Sequence, residues 1–403
     1  MHRVEVGFKE GIRDALGVSV RKRIEEDLKI KSGSVNTIDV YTIDADLDNE
    51  QLKNVAENLF ADPVIQKYKC NEMLANNFSW VIEVSFRAGV TDNAGKTAKE
   101  AIEDILNKKI NSVYTSKQYL IRNNLRREEV ERIAKELLAN ELIERWIITK
   151  KGDKINVEAP VVSFSESKVE EIELKGDLKK LSDERLLSLN SEEMEAIKNY
   201  VDSKIEERKK VGLEKITDVE LESIAQTWSE HCKHKIFNAL IDYEEDGKKE
   251  VIDSLFNAYI KKSTNDINKD FLVSVFKDNA GIIRFNDSWN IAMKVETHNA
   301  PSALDPYGGA LTGIVGVNRD IIGAGVGAKP ICNTDVFCFA SPYYSQKLPP
   351  KVLHPKRIFE GVRKGVEHGG NKSGIPTVNG SIVFDDRFLG RPLVYCGTLG
   401  IMP

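Results

Sequence analysis

The sequence predicts a mixed α/β (α+β) chain built from three parts. Residues 1–150 repeat themselves at an offset of 78. A stretch rich in Glu, Lys and Asp follows, and from about residue 270 apolar strand-like runs alternate with glycine. Chains of 403 residues are too long for one ordinary domain. We therefore expect an amino-terminal domain at 1–150 with copies at 1–78 and 79–150, a linker with a helix at 151–215, and a sheet domain at 216–403.

The amino-terminal repeat overlays without a gap. Val6, Phe8 and Gly11 fall on Val84, Phe86 and Gly89, and the match continues to Ile65 and Ile143. Each copy alternates at period 2 in its strands and at helical spacing between them, which predicts strand, helix, strand, helix, strand. One copy is small for independent stability, so we expect the two to join their sheets around a pseudo-twofold axis.

The middle of the chain predicts an extended linker and then two helices. Glu, Lys and Asp dominate the run from Glu166 to Glu184, which is typical of a solvated connection. Asn190 or Ser191 is positioned to cap a helix that runs to about Arg208. A second helix begins at Thr217, because Thr followed three residues later by Glu forms a capping box.

The last part predicts an α/β sheet with a strand-rich core. Its one predicted helix runs from His354 to His368. The predicted strands cover 271–275, 282–285, 291–295, 336–339 and 393–400.

Composition excludes several classes of function. The net charge is −5 and the pI is about 5.9, so no basic field is present to attract nucleic acid. The sequence contains no apolar run of membrane-spanning length and no secretory pattern at its start. Five scattered cysteines without zinc-site spacing are typical of reduced thiols. We expect a cytoplasmic protein without a nucleic-acid or membrane partner.

The run from Met293 to Pro330 is the strongest candidate for a site. Seven glycines among its 38 residues predict a glycine-rich loop that lets the backbone approach a ligand closely. Lys294, Glu296 and His298 alternate, so on a strand they share one face. Carboxylates, an imidazole and cations among glycines suit Mg²⁺ and phosphate, since hard cations prefer oxygen ligands and phosphates prefer amides and Arg.

Two further motifs stand outside this run. Trp228 to Lys235 reads Trp-Ser-Glu-His-Cys-Lys-His-Lys at the carboxyl end of the Thr217 helix. His231 and His234 would then share a helix face, which permits metal binding, a proton relay, or a plain solvated pair. A second glycine-rich loop, Gly369 to Gly374, lacks the spacing of a P-loop.

These motifs closely resemble those of phosphoribosylformylglycinamidine synthase. That family carries Lys-x-Glu-Thr/Ser-His-Asn-x-Pro, matched by Lys294 to Pro301, and Pro-x-x-Gly-Ala-x-Thr-Gly, matched by Pro306 to Gly313. Arg319-Asp320 and the Trp228 to Lys235 segment match two more of its motifs. The resemblance covers the whole chain and is weakest near 151–210. It implies an AIR synthase-like sheet domain, preceded by a tandem of the family's small partner subunit.

The resemblance implies a ligase of purine biosynthesis. Its reaction is the ATP- and Mg²⁺-dependent conversion of formylglycinamide ribonucleotide and glutamine-derived ammonia to formylglycinamidine ribonucleotide. By resemblance, His231 and His298 are catalytic, and His298 accepts a proton. His234 and Lys294 bind ATP, and Glu296 and Asp320 bind Mg²⁺. The substrate-binding positions by resemblance are Thr297, His298, Asn299, Ala300 and Arg319.

The resemblance also sets expectations about what accompanies the chain. Many family members have a second histidine where this chain has Ala300, which places more weight on His298. We expect a glutaminase domain or subunit and the remaining half of the synthetase as partners. As an amino-terminal part of the synthetase, the chain alone should bind Mg-ATP weakly and be inactive. The alternatives are a non-catalytic assembly module and another ATP-using enzyme of the AIR synthase superfamily.

Overall fold

The computed structural model describes residues 1–153 and 168–403. These residues group into two compact units, one made of 1–153 with 291–402 and the other of 168–290. Part of the predicted linker, 154–167, lies outside the described residues. No helix in the described ranges has the length and apolar character needed to cross a bilayer. The domain bounds expected from the sequence stay predictions.

The amino-terminal repeat forms two copies of the predicted strand and helix order. In both copies the second helix ends in a π-helical turn, Ala56–Phe60 and Ile133–Leu138. The first copy contains β1 (His2–Phe8), α1 (Ala15–Asp27), β2 (Val35–Asp44), α2 (Asn49–Val55) and β3 (Gln66–Cys70). The second contains β4 (Trp80–Phe86), α3 (Asn93–Leu106), β5 (Ser112–Ile121), α4 (Arg127–Arg132) and β6 (Glu144–Lys150).

The two copies share one six-stranded sheet with the order β3-β1-β2-β5-β4-β6. Its centre is the antiparallel pair β2 and β5, where Val35 faces Ile121. In this register Asp39 faces Lys117, which is its own equivalent 78 positions later, and the two side chains form an ion pair. The pseudo-twofold axis therefore passes between Asp39 and Lys117. The predicted union of two like copies is confirmed.

Each copy anchors its first helix with the same aspartate. Asp14 accepts hydrogen bonds from Gly17 N at 2.7 Å and from Thr37 N at 2.6 Å. Asp92 accepts from Gly95 N at 2.7 Å and Thr115 N at 2.6 Å. Each carboxylate thus caps a helix and ties it to the neighbouring strand.

We expect Asp14→Ala and Asp92→Ala to destabilise the chain by similar amounts. Loss of an N-cap side chain costs about 1–2 kcal/mol. Thermal unfolding of the two variants should show comparable downward shifts in Tm. A large shift for one variant and none for the other would contradict the equivalence of the copies.

The second unit begins with a small helical core. Its elements are β7 (Glu171–Ile172), α5 (Leu178–Glu184), α6 (Ser191–Ser203), α7 (Ile205–Lys209), β8 (Ile216–Thr217), α8 (Asp218–Thr227) and α9 (Glu230–Lys233). Both predicted caps are confirmed, with Asn190 before α6 and Thr217 paired with Glu220 before α8. The Arg208 guanidinium, bonded to the Glu220 carboxylate, lowers the pKa of Glu220 to about 2.

The expectation of an extended connection from Glu166 to Glu184 is wrong over its described residues, 168–184. Ile172, Leu174 and Leu178 are buried there in one hydrophobic cluster with residues of the following helices. The charged residues that suggested a solvated connection lie on the outside of these short helices. Leucines spaced between the charges supply the core, so the segment folds instead of only crossing a surface.

The rest of the second unit is an exposed hairpin, a helix and a strand pair. The strands β9 (Leu240–Glu245) and β10 (Lys248–Asp253) pair antiparallel, as do β11 (Leu272–Ser274) and β12 (Gly281–Arg284). Between the pairs lie the π-helical turn Phe256–Lys261 and α10 (Lys262–Ile267).

The carboxyl-terminal segment of the first unit packs helices on one face of a sheet. Its strands lie in the order β13-β16-β14-β15, with β14 antiparallel to β16 and parallel to β15. The elements are β13 (Asn290–Thr297), α11 (Asn299–Leu304), α12 (Pro306–Ile322), β14 (Lys329–Phe339), α13 (Pro355–Ser373), β15 (Thr377–Phe384) and β16 (Leu393–Met402).

Both predicted glycine loops are helical over most of their length. The run from Gly308 to Gly327 belongs to the first predicted loop, but α12 extends to Ile322 and within this run only Gly325 and Gly327 have positive φ. The second run lies in α13 up to Ser373, and Gly374 ends the helix with φ of 68°.

Glycine serves close helix packing here. A Cβ on Gly365 would lie 2.5 Å from the Tyr307 carbonyl oxygen, and one on Gly369 would lie 2.3 Å from Ile314 Cγ2. These glycines let α13 approach α12 closely. Glycine at these positions therefore allows close contact between the two helices and is not needed for backbone flexibility.

Candidate active site

The candidate site lies between β13 and α12. Strand alternation turns Lys294, Glu296 and the following His298 toward that helix. Lys294 Nζ is 3.4 Å from Glu296 Oε2 and 3.4 Å from Asp320 Oδ2. Two carboxylates from different elements thus converge on one ammonium group. The side chain of Lys294 is 23% exposed, so this cluster is open to solvent at one side.

His298 stands where β13 passes into α11. Its backbone N–H donates to the Val394 carbonyl at 2.7 Å, and the Asn299 side-chain oxygen accepts from Val394 N at 2.7 Å. These two bonds fix the turn against β16. Within the described residues, His298 Nδ1 is buried and has no hydrogen-bond partner. A buried polar atom without a partner is costly in a finished structure.

Gly313 makes room for the His298 side chain. A Cβ at Gly313 would lie 3.1 Å from His298 Cβ and 3.4 Å from Cys396 Sγ. Cys396 pairs across the sheet with Asp335, and both are buried. Burial raises the pKa of the Asp335 carboxyl to about 6 and also raises the pKa of the Cys396 thiol. Sequence reasoning missed this buried pair, because a lone Asp and a lone Cys in apolar strands give no motif.

The other predicted residues near His298 differ in their surroundings. Thr297 is exposed at the end of β13, and Ala300 is partly exposed in α11. Arg319 is exposed on α12 beside Asp320 in sequence. Asn299 differs from these because its side-chain oxygen is already bonded to Val394 N, which orients its amide nitrogen as a donor for a ligand.

His231 and His234 belong to the second unit, and one expectation about them is wrong. The Thr217 helix ends at Thr227, and a separate four-residue helix, α9, carries His231. His234 follows that helix in the left-handed conformation, with φ of 54°. The two histidines therefore do not share a helix face. Ser229 caps the start of this new helix by accepting from Cys232 N at 3.3 Å, and the helix already ends at Lys233, one residue before His234.

Most other residues of this histidine motif are structural. Glu230 accepts from Ile236 N at 2.8 Å, and Lys235 Nζ lies 2.8 Å from Glu193 Oε1. Trp228 packs against the helical core of its unit. The motif thus builds a rigid turn on which the two histidines are exposed.

The site contains carboxylates that can bind a cation and a lysine that can bind phosphate. Over the ranges 1–153 and 168–403, no cluster of three or more His, Cys, Asp or Glu side chains forms a complete metal cage. Glu296 and Asp320 alone provide two carboxylates, which suits an ion that takes its remaining ligands from phosphate and water.

Family comparisons match these segments in order. Residues 1–74 and 79–152 each match the model described as phosphoribosylformylglycinamidine (FGAM) synthase. Residues 178–235 match the formylglycinamide ribonucleotide amidotransferase linker domain, and 277–402 match the amino-terminal domain of AIR synthase related proteins. Over these three successive segments the chain is similar to the phosphoribosylformylglycinamidine synthase family. The family and the mixed α/β class expected from the sequence are confirmed.

Relatives within the phosphoribosylformylglycinamidine synthase family match part of their length. The PurL subunit of Thermoplasma volcanium is 37% identical over 226 residues, which is 56% of this chain and 26% of that protein. The PurL subunit of Thermoplasma acidophilum is 34% identical over 225 residues, again 56% of this chain and 26% of that protein. The chain thus spans about a quarter of the length of these relatives.

Solved structures of the family are also similar in sequence. T. maritima PurL complexed with FGAR is 27% identical, covering 48% of this chain and 25% of that chain with a TM-score of 0.32. A TM-score this low supports no statement about geometry. The similarity to the family therefore lies in the sequence matches.

Proposed function

We propose that this chain provides part of the synthetase that converts formylglycinamide ribonucleotide to formylglycinamidine ribonucleotide with ATP and ammonia derived from glutamine. The observation that carries the proposal is the convergence of Lys294, Glu296 and Asp320 beside His298. These residues lie in the segment that matches the AIR synthase related model. The proposed setting is the cytoplasm, in purine biosynthesis.

Charge supports the assignment of Lys294, Glu296 and Asp320 to nucleotide and metal. Without a ligand, Lys294 balances the two carboxylates, each within 3.4 Å of its ammonium group. Lys294 would pair with phosphate oxygens of bound ATP, and Glu296 and Asp320 would hold the Mg²⁺. Bound Mg²⁺ would offset the charge between phosphate oxygens during phosphoryl transfer to the amide oxygen.

His298 is proposed to accept a proton in the second half of the reaction. When ammonia displaces phosphate from the activated amide carbon, a proton must leave the attacking nitrogen. Imidazole is suited to this because it titrates near neutral pH. Within the described residues, the buried Nδ1 of His298 has no hydrogen-bond partner. Thr297, Asn299 and Ala300 flank His298 in sequence, and together with Arg319 they are proposed to bind substrate.

The proposed partners follow from the same reaction. Free ammonia is released from glutamine elsewhere, so the proposal requires a glutaminase domain or subunit. The rest of the synthetase is required to complete the nucleotide site. His231 and His234 are proposed to act in catalysis and ATP binding from their exposed turn.

An assay of the synthetase that contains this chain tests the proposal. With ATP, formylglycinamide ribonucleotide and ammonium salt, we expect ADP and the amidine product to form in equal amounts. Lys294→Met should raise the KM for ATP, because its ammonium group would no longer meet the phosphates. An unchanged KM would remove Lys294 from the nucleotide site, and absence of product from the unmodified enzyme would refute the function.

A further inference from the structure

We propose that Asn140, in the second copy of the repeat, positions the helix that follows His298 and thereby orients the catalytic imidazole. Asn140 is a positioning residue and touches neither substrate nor nucleotide in this account. Only the predicted effect of Asn140 on activity rests on the proposed function. The predicted restraint of α11 by Asn140 does not depend on it.

The contact between Asn140 and α11 is direct. Asn140 is only 6% exposed, and its Nδ2 donates to the Leu304 carbonyl oxygen at 2.8 Å. Leu304 is the last residue of α11, and the carbonyl groups of a last helical turn lack partners within the helix. Because α11 has six residues and starts directly after His298, a bond at its end restrains its start.

A second group of contacts holds the repeat against the same region. Arg357, near the start of α13, donates to the Ala139 carbonyl at 2.8 Å and to the Lys135 carbonyl at 3.4 Å. Lys356 Nζ donates to Asp27 Oδ1 at 2.5 Å. Burial lowers the pKa of the Arg357 guanidinium, in keeping with a desolvated contact. The bond from Asn140 is therefore one point of an extended attachment, which fixes its donor in place.

The first copy shows what Asn140 adds. Its equivalent 78 positions earlier is Asp62, which is exposed. The turns are the same, since Asp62 N donates to Gln66 Oε1 at 2.9 Å and Asn140 N donates to Glu144 Oε2 at 2.7 Å. The side-chain oxygens of both also accept from the residue two positions on. An aspartate thus builds this turn equally well, and the amide donor of Asn140 is needed only for Leu304.

The repeat therefore supplies its own matched pair of variants. Asn140→Asp keeps the turn, removes the donor and brings a carboxylate against the Leu304 carbonyl. Asp62→Asn makes the reverse exchange in the first copy, at an exposed site. Asn140→Ala removes the donor without adding a charge. It replaces Asn140→Asp in the test if the aspartate variant fails to fold.

Hydrogen exchange of the 403-residue chain tests the structural half. Backbone amides of residues 299–305 should exchange about ten to a hundred times faster in Asn140→Asp and Asn140→Ala, the range expected when a buried acceptor loses its donor. Asp62→Asn should exchange like the unmodified chain. Unchanged exchange in both Asn140 variants, or equal acceleration in Asp62→Asn, would overturn the proposal.

Activity of the complete synthetase tests the consequence for His298. The Asn140 variants should lower kcat of the ammonia-dependent reaction at least about fivefold. The KM for ATP should stay unchanged, because Lys294 and Glu296 lie on β13 and not on α11. Faster exchange with a normal kcat would refute the coupling to His298. Inactivity of the unmodified enzyme would refute the proposed function instead and leave the exchange result standing.

Discussion

His298→Ala in the complete synthetase should lower kcat roughly 10²–10⁴-fold, the usual contribution of a positioned acid or base. The imidazole lies at the end of β13, with its backbone N–H bonded to the Val394 carbonyl, so its loss removes the proton acceptor without removing a strand bond. The assay is steady-state formation of the amidine with ammonium salt, which makes the result independent of any glutaminase.

The control for this variant is His368→Ala. That histidine lies in α13 and bonds to Tyr307 Oη at 3.0 Å, away from the carboxylate cluster. We expect nearly normal kcat for His368→Ala. Both proteins should unfold at similar temperatures. A His298→Ala enzyme with near-normal kcat would remove the base assignment.

Glu296→Gln combined with Asp320→Asn should lower kcat/KM for Mg-ATP at least about 10²-fold. A cation at transferring phosphates contributes several kcal/mol to transition-state stabilisation, and about 1.4 kcal/mol corresponds to a tenfold change in rate. Both amides keep the size of the side chain while removing its charge. Titration with Mg²⁺ should show a higher requirement in the double variant, which distinguishes metal loss from a packing defect.

An exposed carboxylate outside the site provides the comparison. Glu367 on α13 forms an ion pair with Arg363, four residues earlier. Both side chains are exposed, as is usual for an ion pair at a protein surface. Glu367→Gln should leave the Mg²⁺ requirement unchanged. If the double variant behaves like Glu367→Gln, then Glu296 and Asp320 do not hold the metal.

The repeat was predictable from sequence because its signal is redundant. Every strand and helix occurs twice at one offset, so a chance match at a few positions cannot explain the pattern. The same offset, with the antiparallel register of β2 and β5, places Asp39 against Lys117 on the axis. The shared face of Lys294, Glu296 and His298 was predictable for a related reason, since strand alternation fixes side-chain direction.

The errors arose where composition was used in place of packing. Glycines from Gly308 onward suggested a loop, but a Cβ on Gly309 would lie 2.5 Å from Ser302 N and one on Gly313 would lie 3.1 Å from His298 Cβ, so glycine lets α12 pack closely against its neighbours. His234 was expected on a helix, but α9 ends at Lys233 and His234 adopts the left-handed conformation. The contact of Asp320 with Lys294 joins two elements far apart in sequence, and no local pattern gives such a distance.

The most direct test is stoichiometric. The synthetase containing this chain is incubated with ATP, formylglycinamide ribonucleotide and ammonium salt, and ADP and amidine are quantified together. We predict one ADP for each amidine in the unmodified enzyme, and loss of both products in the Glu296→Gln, Asp320→Asn variant. Amidine formation that proceeds undiminished in that variant, or ADP release without amidine in the unmodified enzyme, would contradict the assignment of the Lys294, Glu296 and Asp320 cluster to the active site.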